Sequence, residues 1–456
     1  MRLFCSFLIA VAALAAEPAD WIWTGRFVVT MDPQRRVIEN GAIAITGQRI
    51  LAVGPKNEIE RRFQARRHLD RSEAILAPGL ISTHTHAAMS LLRGIADDLR
   101  LQDWLEHYIF PAEARNVNPE FVRWGTRLGC LEMLLSGTTT YTDMYYFEDV
   151  VAEATREAGM RGVLGETIIG FPSPDSKTPV DALAYTERFL KRFKGDPLIV
   201  PAVAPHAIYT NSDETLKASR MLADRYSAPL LIHLSETKRE NEECLAKRRM
   251  TPTKALDELG VFAGRTVAAH AVWVDEADLA ILKARGVGIG HCPSSNMKLA
   301  SGIAPVTRML ALDMAVGLGP DGPAGSNNDF NLFEEMDLAA KLQKVATGDP
   351  RSVPAEAAVE MATIRGARAL GMDQQIGSLE SGKRADVISI RLDRPNAVPL
   401  YNVYSQMVYA LKGPDVEDVM VNGKMLVEGG HALTLDAAAI EAKAREYGMQ
   451  IKQSLR

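Results

Sequence analysis

Two histidines one residue apart, His84 and His86, stand where an apolar run beginning at Ile75 ends, and three more potential metal ligands, His233, His270 and Asp321, follow at wide spacing. Side chains alternate faces along a strand, so histidines at i and i+2 point the same way and can hold one ion together. A His-x-His pair alone would equally suit a surface or packed position. The later three narrow the choice. His233 closes Pro229-Leu-Leu-Ile-His233, His270 closes Thr266-Val-Ala-Ala-His270, and Asp321 follows Ala315-Val-Gly-Leu-Gly-Pro. Each polar side chain sits at the C-terminal tip of a short apolar run. Short apolar runs alternating with helical stretches mean parallel strands buried on both faces, and in a (β/α)₈ barrel their tips converge on one mouth. A doubly wound sheet uses the same alternation but does not readily return all five ligands to one point.

At 456 residues and 47% hydrophobic, the chain can bury at least one large core, and its length suggests two or three domains. The net charge of -5, with basic residues scattered, leaves no footprint for nucleic acid. Cys5, Cys130, Cys244 and Cys292 show no CxxC spacing, which argues against a zinc knot or a disulfide framework and for buried or inert thiols. Residues 1–16 read as a signal peptide: Met1-Arg2, an apolar run from Leu3, then Ala13-Leu14-Ala15 before Glu17-Pro18. Export to the periplasm or medium is therefore the first expectation, and a cytoplasmic protein follows if the start is placed too early. No later stretch is long and apolar enough to span a bilayer.

From Trp21 to about Ile75 the texture is strand and turn, with Arg26-Phe-Val-Val-Thr, Gly41-Ala-Ile-Ala-Ile and Ile50-Leu-Ala-Val. It returns in Ala385-Asp-Val-Ile-Ser-Ile and in Val419-Met-Val-Asn-Gly-Lys-Met-Leu-Val, where Asn422-Gly423 is a hairpin signal. The simplest organisation is a small β-sandwich domain built from residues 17–75 and 373–456, with a barrel over residues 76–372 inserted between. That insert, about 300 residues, has the size of one (β/α)₈ barrel. A helix from Pro119 to Ser136, followed by Gly137-Thr-Thr-Thr-Tyr-Thr-Asp143, shows the alternation.

The ligand set and its surroundings carry a resemblance. Pro78-Gly-Leu-Ile-Ser-Thr-His84-Thr-His86, Leu91-Leu-Arg-Gly, Asp103-Trp104-Leu, Pro111-Ala-Glu113, Pro205-His206, His233-Leu-Ser-Glu236, His270, His291-Cys-Pro-Ser-Ser-Asn296 and Asp321-Gly322 together resemble the amidohydrolase superfamily. Within it the chain is most similar to deaminases of 5-methylthioadenosine and S-adenosylhomocysteine; triazine chlorohydrolases and guanine-type deaminases share most of the skeleton. The resemblance implies one divalent metal, zinc first with iron or manganese as alternatives, held by His84, His86, His233 and Asp321. Such a zinc lowers the pKa of a bound water from about 16 to about 7 and so creates a hydroxide nucleophile. It further implies Glu236 as general acid/base and substrate contact, His270 as the group that steadies the developing tetrahedral centre, and Asp321 as a proton acceptor beside its ligand role. Related barrels that bridge two metals use a lysine at the fourth strand tip; Val200-Pro-Ala-Val-Ala-Pro-His206 offers none.

For the substrate, the resemblance implies that Glu113 binds ribose hydroxyls, that His206 faces the substrate and that Arg161 helps recognise it. A helix-side glutamate and a structural histidine are the plain readings of the first two. Trp104 suits either a pocket wall or a helix core. Where the family commonly has Thr/Ser-Arg-Gly, this chain has Gly165-Glu166-Thr167, and an acidic residue would repel a homocysteine carboxylate. The turn-rich Phe171 to Pro179 segment could cover the substrate or simply connect elements. The expected activity is hydrolytic deamination of an adenine-type nucleoside. Another heterocycle, such as guanine, a pterin or an s-triazine, is the alternative, and a non-catalytic metal-stabilised binding protein the remote one. Barrels of this kind are often dimers, so a homo-oligomer is possible by analogy.

Overall fold

The computed structural model describes residues 16–454. The signal-peptide expectation for residues 1–16 lies, save for Ala16, outside the described residues. Eight parallel strands close into a barrel: Leu80–Thr85, Thr138–Tyr145, Arg161–Ile168, Ile199–Pro205, Leu230–Leu234, Thr266–His270, Gly288–His291 and Val316–Leu318. They are strands one to eight below. Strand eight returns to strand one through the Leu318–Ser82 pairing, which leaves the barrel no edge. Outward side chains such as Leu80, Leu164, Leu230 and Ile232 join the core beneath the helices, while Ile81, Val163, Ala202, Ala204, Leu231 and Val267 form a separate inner cluster. That double burial is why the strands read as unbroken apolar runs.

Simple alternation from Ile81 would turn His84 away from the interior. The register against strand two shifts between Ser82 and Thr85, and such an irregularity re-aims the strand as it reaches the mouth. Gly79 marks the strand's entry. A side chain there would overlap Thr139, so the chain can pass from the β-domain into the barrel only with hydrogen at that position.

Both ends of the chain build the β-domain, as the sequence texture suggests. Its strands hydrogen-bond in the spatial order His431–Ala432, Lys424–Glu428, Val416–Val421, Val387–Arg391, Phe63–Pro78, Glu17–Val29, Val37–Thr46, Arg49–Pro55. The far edge then comes back to the segment before Val387: Ile50 donates to the Lys383 carbonyl at 3.0 Å and Ala385 to that of Gln48 at 2.9 Å. The sheet thereby wraps a core of Trp23, Val28, Ile43, Ile45, Leu76, Val387 and Met420. Asn422 and Gly423 both have positive φ, the geometry a two-residue hairpin with right-handed strand twist requires. The C-terminal helix Ala437–Ser454 departs from the expected grouping of residues 373–456. It packs on the barrel helix Pro119–Leu135, with Tyr447 edge-on to Phe121 at 5.7 Å, because Ile440, Tyr447 and Ile451 share one helical face. Among the described residues no helix is long and apolar enough to cross a membrane. Cys130, Cys244 and Cys292 are buried and unpaired.

Arg161 is the one expected substrate contact that the fold places elsewhere. It begins strand three, at the barrel end opposite the histidines, where its buried guanidinium pairs with Asp386 and bonds Thr140 Oγ1 at 3.2 Å. Asp386 in turn accepts from the Asn422 amide at 2.7 Å, and its carbonyl accepts from Gly79 at 3.1 Å. The pair thus fastens the bottom of the barrel to the β-domain hairpin. Removing one partner of a buried pair strands the other charge, so Arg161→Met should lower unfolding stability by about 3–5 kcal/mol in denaturant titration while KM stays unchanged. A raised KM at unchanged stability would return Arg161 to the substrate.

Candidate active site

Strand tips deliver the ligand candidates. His84 lies within strand one and His86 just beyond it, His233 is in strand five, His270 ends strand six, and Asp321 follows strand eight by three residues. The His84 ring centroid lies 4.9 Å from those of His86 and His233 and 5.4 Å from that of His270. Asp321 Oδ1 stands 3.3 Å from Nε2 of both His84 and His86. Residues up to 237 positions apart in the chain therefore share one small volume.

The hydrogen bonds behind the rings decide which nitrogen faces inward. His86 Nδ1 is 2.7 Å from the Met144 carbonyl, His233 Nδ1 is 2.9 Å from the His206 carbonyl, and His270 Nδ1 is 3.0 Å from Asn296 Oδ1. An amide oxygen only accepts, so each Nδ1 carries the hydrogen and each Nε2 turns a lone pair to the centre. His84 Nε2 is buried without a hydrogen-bond partner, and Ser295 occupies only Oδ2 of Asp321, at 2.7 Å. An orphaned buried nitrogen, further inward-facing nitrogens and one free carboxylate oxygen fit a divalent cation. By proximity His84 groups both with His86 and Asp321 and with His233 and His270.

Charge reinforces the geometry. Burial holds His84 at about 4 and His206 at about 3, and drives His233 and His270 below the ordinary histidine value, so these rings are neutral ligands or acceptors at pH 7. Burial also opposes a charged His86 and an ionised Asp321. Their mutual attraction outweighs it, lifting His86 to about 9 and pushing Asp321 well below the usual carboxylate range. Asp321 is thus a fixed negative charge that favours a cation at this point. Ser235, His270, Ala271 and Asp321 all adopt positive φ, strain that the surrounding fold must hold in place.

Glu236 sits two residues past strand five, with Oε2 3.7 Å from His270 Nε2 and Oε1 buried without a partner. Burial, with Asp321 nearby, pushes its carboxyl up to about 8. The turn that presents it is clamped by Glu240, whose carboxylate accepts from the Ser235 amide at 3.0 Å and the Glu236 amide at 2.9 Å. Glu240 itself is buried, although the charged run around it looks in sequence like a solvated face.

A narrow cleft opens over this centre, walled by Met89, Leu101 and Ile109. Glu113, on the helix Phe110–Asn116, and His206, just past strand four, both line it. Burial raises Glu113 to about 7 even though Tyr145 donates its hydroxyl to Oε1 at 2.7 Å. His206 Nδ1 lies 3.1 Å from Thr210 Oγ1, a hydroxyl that can donate or accept, so Nε2 is the nitrogen left without this partner. Trp104 is a wall of the cleft, its indole nitrogen donating to the Ala324 carbonyl at 2.9 Å. Glu166 is not among the lining residues: it is buried behind the wall and accepts from the Glu148 amide at 3.0 Å.

Sequence reasoning passed over Asp143, Tyr145, Ser295 and Asn296 as functional groups. Asp143 Oδ1 accepts from Thr85 Oγ1 at 2.7 Å and from the Ala87 amide at 2.6 Å, gripping the chain on both sides of His86. The signal available was its position at the tip of strand two; Ser295 and Asn296 likewise follow strand seven within a motif already singled out.

Residues 75–426 match the model of the amidohydrolase family. The chain belongs to that family. It is 48% identical to the 5-methylthioadenosine/S-adenosylhomocysteine deaminase 1 of Syntrophus aciditrophicus, over 96% of this chain and 99% of that protein. The crystal structure of a zinc-bound adenosine deaminase from Xanthomonas campestris superposes with a TM-score of 0.94 at 38% identity, covering 96% of this chain and 100% of the other. Atrazine chlorohydrolase from Arthrobacter aurescens, complexed with zinc, gives 0.86 at 25% identity, with 94% and 99% covered. As an amidohydrolase the protein is a hydrolase.

Because the Tyr145 hydroxyl favours the charged form of Glu113, Tyr145→Phe should raise the Glu113 pKa above about 7. Isotope-edited infrared titration of the carboxyl stretch checks this, and an unmoved midpoint would mean that the hydrogen bond is not formed in solution.

Proposed function

We propose that this protein is a metal-dependent deaminase of an adenine-type nucleoside, releasing ammonia, with 5-methylthioadenosine, adenosine and S-adenosylhomocysteine as the candidate substrates. The observation that carries the proposal is the convergence of inward-facing Nε2 atoms and Asp321 on a point flanked by Glu236 and His270. His84, His86, His233 and Asp321 would hold one divalent ion, zinc in the first instance, with His270 kept for the reacting water. When bound, the metal supplies Lewis-acid activation of a water molecule.

The remaining work falls to side chains. His270, with its hydrogen on Nδ1, accepts a hydrogen bond at Nε2 from the attacking water and aims an oxygen lone pair at the amino-bearing ring carbon. Glu236 is held protonated to about pH 8 by burial, and it gives that proton to the ring nitrogen beside the attacked carbon. Addition of the water, whose proton passes to the Asp321 carboxylate, makes a tetrahedral centre. Its collapse expels the amino group as ammonia, with Asp321 handing that proton to the departing nitrogen, and the hydroxyl proton released as the carbonyl forms restores Glu236. Glu113, one oxygen taken by Tyr145, offers the other to ribose hydroxyls, and His206 faces the substrate with Nε2. Support for the nucleoside comes from the 5-methylthioadenosine/S-adenosylhomocysteine deaminase and the adenosine deaminase to which the chain is 48% and 38% identical.

Ammonia release by the zinc-loaded protein on adenosine, 5-methylthioadenosine, S-adenosylhomocysteine, guanine and a chloro-s-triazine tests this. Turnover of a nucleoside is expected, with Glu236→Gln lowering kcat by about 10²–10⁴-fold while binding persists. Activity confined to guanine or the triazine would overturn the substrate and keep the machinery. Glu113→Ala should raise KM for nucleosides but not for a free base. Ser295→Ala, by releasing Asp321 Oδ2, should weaken metal affinity by about 10–100-fold in competition with a chelating dye.

A further inference from the structure

The helix Leu332–Thr347 carries a buried acid that the catalytic scheme above does not employ. Leu332, Met336, Ala339 and Gln343 mark its buried face, and Glu335 shares that face with no accessible surface, whereas its neighbour Glu334 is exposed. A carboxyl group set into a largely apolar stripe costs stability unless hydrogen bonds offset the loss of water. Its partners therefore show what the position does.

Those partners belong to the two loops that carry the centre. Glu335 Oε2 accepts from the Ser294 amide at 3.2 Å, and Oε1 accepts from Asn327 Nδ2 at 3.1 Å. Ser294 lies just past strand seven, in the turn where Ser295 Oγ donates to Asp321 Oδ2 at 2.7 Å and Asn296 Oδ1 stands 3.0 Å from His270 Nδ1. Asn327 lies past strand eight and brackets Asp321. Its Nδ2 donates also to the Pro320 carbonyl at 2.9 Å, and its backbone amide to the Gly322 carbonyl at 3.1 Å, an oxygen that Ser326 Oγ reaches at 2.6 Å. The aspartate so bracketed has a φ of 64°, a left-handed conformation that the peptides on either side must hold.

We infer that Glu335 is a positioning residue for the centre. Through Asn327 it fixes the backbone of Asp321, and through the Ser294 peptide it holds Ser295 and Asn296 against Asp321 and His270. This rests on the reading of Asp321 as a metal ligand and of His270 as the partner of the reacting water. Glu335 is not among the residues lining the cleft, so its loss should appear in metal binding and turnover and not in KM.

The test compares Glu335→Met, Glu335→Gln, Asn327→Ala and the double variant of Glu335→Met with Asn327→Ala against wild type and Arg161→Met, which loses stability at the far end of the barrel. Zinc affinity is read in competition with a chelating dye, stability by denaturant titration, and kcat and KM on adenosine and 5-methylthioadenosine. Glu335→Met keeps the apolar packing but has no acceptor. It should weaken zinc binding by about 10–100-fold and lower kcat at saturating zinc by about tenfold, with KM unchanged. Glu335→Gln keeps one acceptor oxygen and should fall between Glu335→Met and wild type. Arg161→Met, although destabilised, should bind zinc as wild type does. The double variant should lose less affinity than the product of the two single effects, because both residues act in one network. Wild-type zinc affinity in Glu335→Met, an equal loss in Arg161→Met, or fully additive losses would overturn the positioning role and leave the metal centre standing. If Glu335→Met does not fold, Glu335→Gln and Asn327→Ala decide by the same comparison with Arg161→Met. A wild-type protein that takes up no zinc would overturn the metal reading, and the positioning role with it.

Discussion

The seam between the eighth and first strands is the contact on which the site depends. Leu318 pairs with Ser82, a bridge joins Thr85 to Asp321, and the Asp321 amide donates to the His84 carbonyl at 3.3 Å. The same few bonds close the barrel and set the one ionised carboxylate of the centre against the two histidines of strand one. Without closure the imidazoles of strands five and six would have no common partner. Catalytic geometry and barrel integrity are therefore not separable properties here.

Burial sets the chemistry that closure makes available. Four imidazoles and a lining without lysine or arginine would be a poor place for a lone charge, yet Asp321 remains ionised because the cationic His86 beside it repays its desolvation. Glu236 and Glu113, only a short distance away, are buried without such compensation and keep their protons to about 8 and about 7. One environment thus yields a carboxylate that holds charge and carboxylic acids that can donate. The groups behind the wall, Asp143, Glu240, Ser295 and Asn296, matter because they fix ring tautomers and turn geometry, so that little reorganisation is left for the moment of reaction.

Fold class and the chemical centre were legible in the residues because both follow from local rules. Buried parallel strands must be apolar runs, and a polar residue ending such a run stands at the barrel mouth. Asn422-Gly423 specified its hairpin through backbone conformation alone. What stayed hidden was long-range. Arg161 looked like a substrate contact from its place in a motif, but it begins its strand, and the first residue of a barrel strand is a barrel's length from the mouth. Glu166 looked like part of the pocket, although strand alternation turns it to the helix side while Thr167 faces the cleft. The C-terminal helix went to the barrel because its apolar face found Phe121 there, a partner more than 300 positions away.

The sequence by itself determined the architecture, the ligand candidates and their likeness to a hydrolase family, since periodicity and side-chain chemistry are local properties written in order along the chain. Only the tertiary structure decided which nitrogen of each histidine faces the centre, which carboxyls keep their protons, and which charges line the cleft. Those depend on what lies across a few ångströms of low-dielectric interior, contributed by segments whose separation in sequence carries no trace of their nearness in space.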